Sequence, residues 1–253
     1  MIEIKTKSEI ALMQEAADIL KGCFRLAESI IEAGENTKTL DKAIENYIFE
    51  RKATPSFKNY RGFPYSICAS RNDCVIHGFP NESPLERKDI VSVDIGVFYK
   101  GFHSDAARTY NLGEASEEAK KLIRVTRESF FEGLKYARAG NRLESISSAI
   151  EGYVSQNGFS VVRSYVGHGI GRSLHEQPDV PNFGRPNRGV RLTEGMTLAI
   201  EPMVNAGGYE VETLKNGWEV MTVDKSLSAH YENTVVITAG EPLVLTWDGG
   251  VNN

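Results

Sequence analysis

Apolar positions recur at helical spacing from the start of the chain. Ile10, Met13, Ala17, Leu20, Phe24, Ala27 and Ile31 lie three or four residues apart and would line one face of a helix. Thr6, followed three residues on by Glu9, predicts a capping box at its start, and Gly34 predicts its stop. A second helix is predicted through Leu40, Ala43, Ile44, Tyr47 and Ile48, ending before Pro55. The same plan returns after Glu117. Leu122, Val125, Phe130 and Leu134 line a third helix that stops near Gly140, and Leu143, Ile146, Ala149, Ile150, Tyr153 and Val154 line a fourth that stops near Gly158. Behind each pair the period shortens: DIVSVDIG (89–96) and MTLAIEP (196–202) read as apolar strands with one acid each.

The two halves echo one another in residues as well as pattern. AGENTKTLDKAIENYI (33–48) and AGNRLESISSAIEGYV (139–154) align without gaps at an offset of 106 and share Ala33/Ala139, Gly34/Gly140, Ala43/Ala149, Ile44/Ile150, Glu45/Glu151 and Tyr47/Tyr153. An offset of 107 superposes Asp94 on Glu201, and one of 127 superposes His103 on His230 and Asp105 on Glu232. The expected architecture is therefore α+β: one domain, 1–253, of two half-domains (about 1–114 and 115–253) related by a pseudo-twofold, with strands from both forming a continuous antiparallel sheet flanked by helix pairs.

An acid inside an apolar strand is costly unless it is paired or bound to a cation. A pseudo-twofold would gather Asp94, Asp105, Glu201 and Glu232 around one axis, where like charges raise one another's pKa. Two divalent cations would balance those four charges, so the quartet points to a two-metal site. His168, in GHGIGRSLHEQPDV (167–180), has Gly62 as its counterpart and so breaks the symmetry. It fits a fifth, neutral ligand, with the flanking glycines allowing close approach of backbone to the site. Oxygen-rich ligation with one imidazole suits Mn²⁺, Fe²⁺ or Co²⁺, and Zn²⁺ also fits. His103 and His230 each precede an acid by two residues and would share its face of a strand; on spacing alone either could be a ligand.

Composition narrows the setting. A net charge of −5 argues against nucleic acid or an anionic membrane surface as the main partner. Cys23, Cys68 and Cys74 are too few and odd in number for a disulfide framework, which points to a reducing cytosol. There is no signal-like N-terminus and no apolar run near the roughly 20 residues of a membrane span, so a cytoplasmic protein is expected. The 167–171 glycines alone would also suit a phosphate-binding loop, but RSLHEQPDVPNFGRP, with three prolines, does not read as the helix such a loop needs.

The stretches NDCVIHGFP, VSVDIGVFYKGFHSDAART, VGHGIGRSLHEQPDV, LTEGMTLAIEPM and HYENTVVIT resemble those of the pita-bread metallopeptidases, peptidase family M24, and most closely the type I methionine aminopeptidases; the resemblance runs essentially the length of the chain. It implies that Asp94, Asp105, His168, Glu201 and Glu232 bind two divalent metals, with Asp105 and Glu232 bridging and His103 and His230 as neighbours. It further implies attack of metal-activated water on the first peptide bond of a nascent chain, with Glu201 as proton shuttle. His77 would contact the scissile amide, and His175 would donate to the carbonyl oxygen as it becomes an oxyanion. Tyr60, Phe63, Cys68 and Trp218 would line the methionine slot. Phe57 and Leu174 stand where the best-known bacterial enzymes carry cysteine and phenylalanine, which bears on the shape of the slot.

The expected partner is the N-terminal methionine of a nascent polypeptide with a small second residue, the expected state a monomer. Transient ribosome association would suit that function, although no basic patch argues for it. Two alternatives remain. A proline-directed peptidase of the same fold would usually carry an additional N-terminal domain, and a non-catalytic pita-bread binding protein should have lost ligands that this chain retains.

Overall fold

A computed structural model describes residues 2–247 and 249; Met1, Asp248 and 250–253 of the expected domain lie outside the described residues. The helices are α1 (Lys7–Ile30), α2 (Thr37–Glu50), α3 (Glu117–Leu134) and α4 (Glu144–Gln156). The strands are β1 (Thr54–Pro55), β2 (Ile67–Arg71), β3 (Cys74–Ile76), β4 (Ile90–Tyr99), β5 (Phe102–Asn111), β6 (Ser160–Val161), β7 (Gly167–Gly169) and β8 (Glu176–Val180). They continue with β9 (Thr197–Ile200), β10 (Met203–Asn205), β11 (Val211–Thr213), β12 (Val220–Thr222), β13 (Ser228–His230), β14 (Glu232–Val236) and β15 (Leu243–Val244).

The capping box at α1 is present: the Thr6 hydroxyl accepts from the Glu9 N–H, and the Glu9 carboxylate accepts from the Thr6 N–H. Asn36 and Ser116 cap α2 and α3 through their side-chain oxygens alone, which accept from the Thr39 and Ala119 N–H groups. Two helices stop earlier than the glycine signals predict, because those glycines belong to the turns that follow. Gly34 (φ +98°) and Gly140 (φ +94°) both adopt the left-handed backbone. Gly34 N–H donates to the Leu85 carbonyl and Leu85 N–H to that of Glu35; Gly140 and Leu192 make the matching pair, with Leu192 N–H donating to Asn141.

The central sheet has nine strands among the described residues, in the order β1-β4-β5-β14-β9-β7-β8, with β2 on β4 and β15 on β14. It joins strands from both parts of the chain at the β5–β14 pair. Two three-stranded sheets, β13-β10-β6 and β11-β12-β3, stand apart from it. One cause is visible in HYENTVVIT: the ladder breaks at Tyr231, whose N–H donates to the Pro202 carbonyl, so His230 ends β13 and Glu232 begins β14.

Strand alternation then separates two jobs. Val91, Val93, Ile95 and Val97 of β4 pack with Leu20, Phe24, Ile44 and Ile48 of α1 and α2. Leu198, Ile200 and Val235 pack with Leu122, Val125, Phe130, Ile146 and Ile150 of α3 and α4. Both helix pairs thus cover one face of the sheet, and the intervening residues, including Asp94, project from the other. The α3–α4 contact depends on Gly133: a Cβ there would lie 2.8 Å from Ile150 Cγ1 and 3.1 Å from Ile146 Cγ2, both on fully buried side chains. Gly133→Ala gains about 1 kcal/mol of helix propensity but costs about 1–3 kcal/mol by overpacking. The expected net is a destabilisation of about 1 kcal/mol, a Tm drop of roughly 2–4 °C in thermal denaturation; an unchanged or raised Tm would show that α4 moves aside freely.

Candidate metal centre

Sheet register explains which residues meet. Asp94 of β4 faces Ala107 of β5, and Ala107 faces Glu232 of β14. Glu201 follows β9 directly, one position beyond the Asn233–Ile200 pair, and so completes this row. Two residues along, Gly96 faces Asp105, Thr234 faces Ala199, and Ala199 faces His168. The Thr234 hydroxyl ties the second row together, accepting from the Asp105 N–H and donating to the Asp105 carbonyl, both at 2.9 Å. The rows lie about 7 Å apart along the strands. In the first row Ala107 stands between Asp94 and Glu232, with Glu201 beside Glu232; in the second, Ala199 stands between Thr234 and His168, so the acids and the imidazole reach over small residues.

Ligand atoms of Asp105, His168 and Glu232 all lie within 4.8 Å of one another, as do those of Glu201, His230 and Glu232. The two oxygens of Glu201 diverge: Oε1 is 3.6 Å from His168 Nε2 and Oε2 is 3.5 Å from His230 Nε2. His168 Nδ1 is 2.8 Å from the Gly169 carbonyl. A carbonyl only accepts, so Nδ1 carries the proton and Nε2 keeps its lone pair for a cation. His103 belongs to neither cluster: its Nδ1 bonds the Ser56 hydroxyl at 2.9 Å and its ring lies on Phe98.

Electrostatics and hydrogen bonding both fit divalent cations. Asp94 Oδ1, Asp105 Oδ1, Glu232 Oε1 and His230 Nε2 are buried with no hydrogen-bond partner. Burial, with the Glu201 charge adding to it, pushes Asp94 up to about 7. Burial pushes Glu201 well above the usual carboxylate range, and burial with neighbouring carboxylates does the same to Asp105 and Glu232. Burial lowers His168 to about 4, leaving a neutral imidazole that a cation can use.

The glycines around His168 serve a different purpose from the one their spacing suggests. A Cβ on Gly167 would lie 2.4 Å from the Ala199 carbonyl, and one on Gly169 2.3 Å from that of Gln177. They admit neighbouring backbone on either side of β7 and do not clear space for the site. No helix follows them, which removes the geometry of a phosphate loop.

The residues that the resemblance assigns to the site line one cavity of about 280 Å³: the five acid and imidazole groups, His77, His175, Tyr60, Phe63, Cys68 and Trp218, with Phe57 and Leu174 also in the wall and His103 and His230 outside it. His77 has a left-handed backbone (φ +58°), an uncommon state for a non-glycine residue, and packs edge-on against Tyr165 and Trp218. Burial lowers it to about 4, with the charges of His230 and His175 adding to that. His175 is lowered to about 3, by burial and then by His168 and Arg61, and its Nδ1 lies 2.7 Å from the Tyr60 hydroxyl. Phe63 meets Trp218 edge-on at 5.1 Å. Phe57 finds its room against Gly96, where a Cβ would lie 2.7 Å from the Phe57 ring.

Sequence reasoning missed Arg108, a buried cation on the reverse face of β5. It donates to the carbonyls of Ala107, Glu232 and Thr246 and to Asn233 Oδ1, between the rings of Phe24 and Tyr231. Its charge opposes the upward push on Glu232. The available signal was an arginine directly after two alanines in DAART, three residues from Asp105.

Residues 11–239 match metallopeptidase family M24. The methionine aminopeptidase of Clostridium perfringens (strain 13 / Type A) is 56% identical over 246 residues, covering 97% of this chain and 99% of that protein. The crystal structure of methionine aminopeptidase from Thermotoga maritima superposes with a TM-score of 0.96 at 42% identity, covering 98% of this chain and 100% of that one. An Xaa-Pro dipeptidase from Bacillus anthracis is a more distant likeness, with TM-score 0.78 and 25% identity; 96% of this chain is covered but only 61% of that one.

Cation binding to this cluster must displace protons. In the cation-free protein Asp94 has a value of about 7 against an ordinary 3.8, so its contribution to stability is present below 3.8 and is lost as pH rises through about 7. Added Mn²⁺ should therefore raise Tm more at pH 8 than at pH 6, and calorimetry in buffers of different protonation enthalpy should record proton release near pH 7. Equal Tm gains at both pH values, without proton release, would contradict a cation site built from these acids.

Proposed function

The chain belongs to metallopeptidase family M24, and from that premise we propose that it removes the N-terminal methionine from nascent proteins and peptides whose second residue is small. The observation that supports this most directly is the single cavity in which four acids and His168 stand beside an aromatic slot and two further histidines.

In this reading Asp94, Asp105, His168, Glu201 and Glu232 would hold two divalent cations, of Mn, Fe, Co or Zn. Bound cations would supply Lewis acidity and a low-pKa water at neutral pH. The chain's own residues do the rest. Glu201, with its two oxygens facing different histidines, carries a proton between the attacking water and the leaving nitrogen. His77 contacts the scissile amide from its strained turn. His175 donates to the carbonyl oxygen as negative charge develops there. Phe63, Tyr60, Trp218 and Cys68 hold the methionine side chain; burial keeps the Cys68 thiol well above its usual range, so it presents a neutral, polarisable wall. Phe57 and Leu174 complete that wall with apolar groups.

We assign the whole chain to one catalytic domain of two halves, about 1–114 and 115–253, working as a cytoplasmic monomer with transient access to the ribosome. Among the described residues no helix is long and apolar enough to cross a membrane. The low net charge density gives no reason to expect direct nucleic-acid binding.

Chelated protein should lose cleavage of Met-Ala-Ser and regain it with Mn²⁺ or Co²⁺, while Xaa-Pro peptides stay intact throughout. Turnover by the metal-free protein would sink the mechanism, and cleavage of Xaa-Pro would favour the proline-directed alternative. His175→Ala should lower kcat about 100-fold with metal content unchanged; loss of a metal from that variant would show that His175 is a ligand.

A further inference from the structure

His168, on β7, and His175, in the loop that follows it, face opposite electrostatic tasks. A cation needs an imidazole lone pair, whereas a developing oxyanion needs an imidazole N–H. A neutral ring offers one of each, so which nitrogen carries the proton decides what each histidine can do. The Gly169 carbonyl settles the matter for His168 by accepting from Nδ1–H.

For His175 we infer that the Tyr60 hydroxyl is the positioning group: it donates to Nδ1, leaves the proton on Nε2, and so sets His175 and His168 in opposite tautomers. This rests on the oxyanion role assigned to His175 above. Three observations carry it. The contact between Tyr60 Oη and His175 Nδ1 is short, at 2.7 Å, and it is the hydroxyl's one hydrogen bond among the described residues. If Nδ1–H donated instead, the phenolic proton would be left without a protein acceptor. The phenol is also the better donor and the imidazole nitrogen the better acceptor, because imidazole binds a proton while phenol at neutral pH retains one. Finally, the Arg61 guanidinium lies 5.3 Å from the Tyr60 ring centroid, and a nearby cation strengthens O–H donation from the phenol.

The surroundings hold this geometry in place. Tyr60 opens a short turn, Tyr60–Gly62, in which Arg61 (φ +49°) and Gly62 (φ +91°) both take left-handed backbone. The His175 ring packs between Tyr60, at 5.2 Å, and His168, at 4.3 Å. Tyr60 thus does more than line the methionine slot: its ring faces the cavity and its hydroxyl governs the proton on the neighbouring histidine.

Tyr60→Phe keeps the ring and removes only the donor. In the Mn²⁺-loaded enzyme it should lower kcat for Met-Ala-Ser about 10-fold, as expected for a weakened oxyanion donor, with KM within about twofold. Metal content should match the parent. Whether or not Tyr60→Phe folds, long-range ¹⁵N–¹H spectra of the metal-free parent, assigned by comparison with His175→Ala, should show His175 protonated at Nε2 and bare at Nδ1. In Tyr60→Phe both tautomers should appear. A parent spectrum with the proton on Nδ1, or a Tyr60→Phe enzyme with unchanged kcat, overturns the proposal while leaving the peptidase reading intact. If His175→Ala itself turns over normally, the oxyanion role fails and the tautomer argument falls with it.

Discussion

Four carboxylates on one face of one sheet, buried and a few ångströms apart, are the constraint around which this molecule is built. Burial drives each toward its neutral form, and neighbouring carboxylate charges push Asp94, Asp105 and Glu232 further the same way. Such a cluster persists only where something compensates the charge, and the orphaned oxygens of Asp94, Asp105 and Glu232 point to divalent cations. The remaining features follow from holding that cluster in register. Ala107 and Ala199 are small where the acids and His168 reach over them, and the Thr234 hydroxyl locks Asp105 to the neighbouring strand.

The face opposite the site provides the rigidity. Two helix pairs pack their apolar stripes against the same sheet whose other side carries the acids, so any slip of one residue in β4, β5 or β14 would exchange core side chains for acids. That coupling makes the site as stable as the hydrophobic core behind it. Arg108 extends the principle, placing a positive charge behind Glu232 while satisfying four backbone and side-chain acceptors from within the core.

The cavity divides labour among similar groups by what lies behind each. Glu201 has one oxygen toward His168 and one toward His230. His168 and His175, seven residues apart, receive opposite partners at Nδ1, a carbonyl for one and a hydroxyl for the other. His103 has the same spacing to its acid as His230, yet it turns to Ser56 and Phe98 because Phe98 is its direct partner across the β4–β5 ladder.

The four helices, the α+β class and the recurrence of acids at matching places were legible in the residues alone. Periodicity is a local property, and an acid within an apolar strand signals its cost wherever it occurs. The offset between Asp94 and Glu201 even indicated which acids would meet. What the chain could not disclose was decided between strands distant in sequence. The break at Tyr231, the packing role of Gly167 and Gly169, the burial of Arg108 and the Tyr60–His175 bond each depend on a neighbour many positions away. Spacing within a strand says which face a side chain shares; only the register between strands, set by packing of the whole core, says what it touches there.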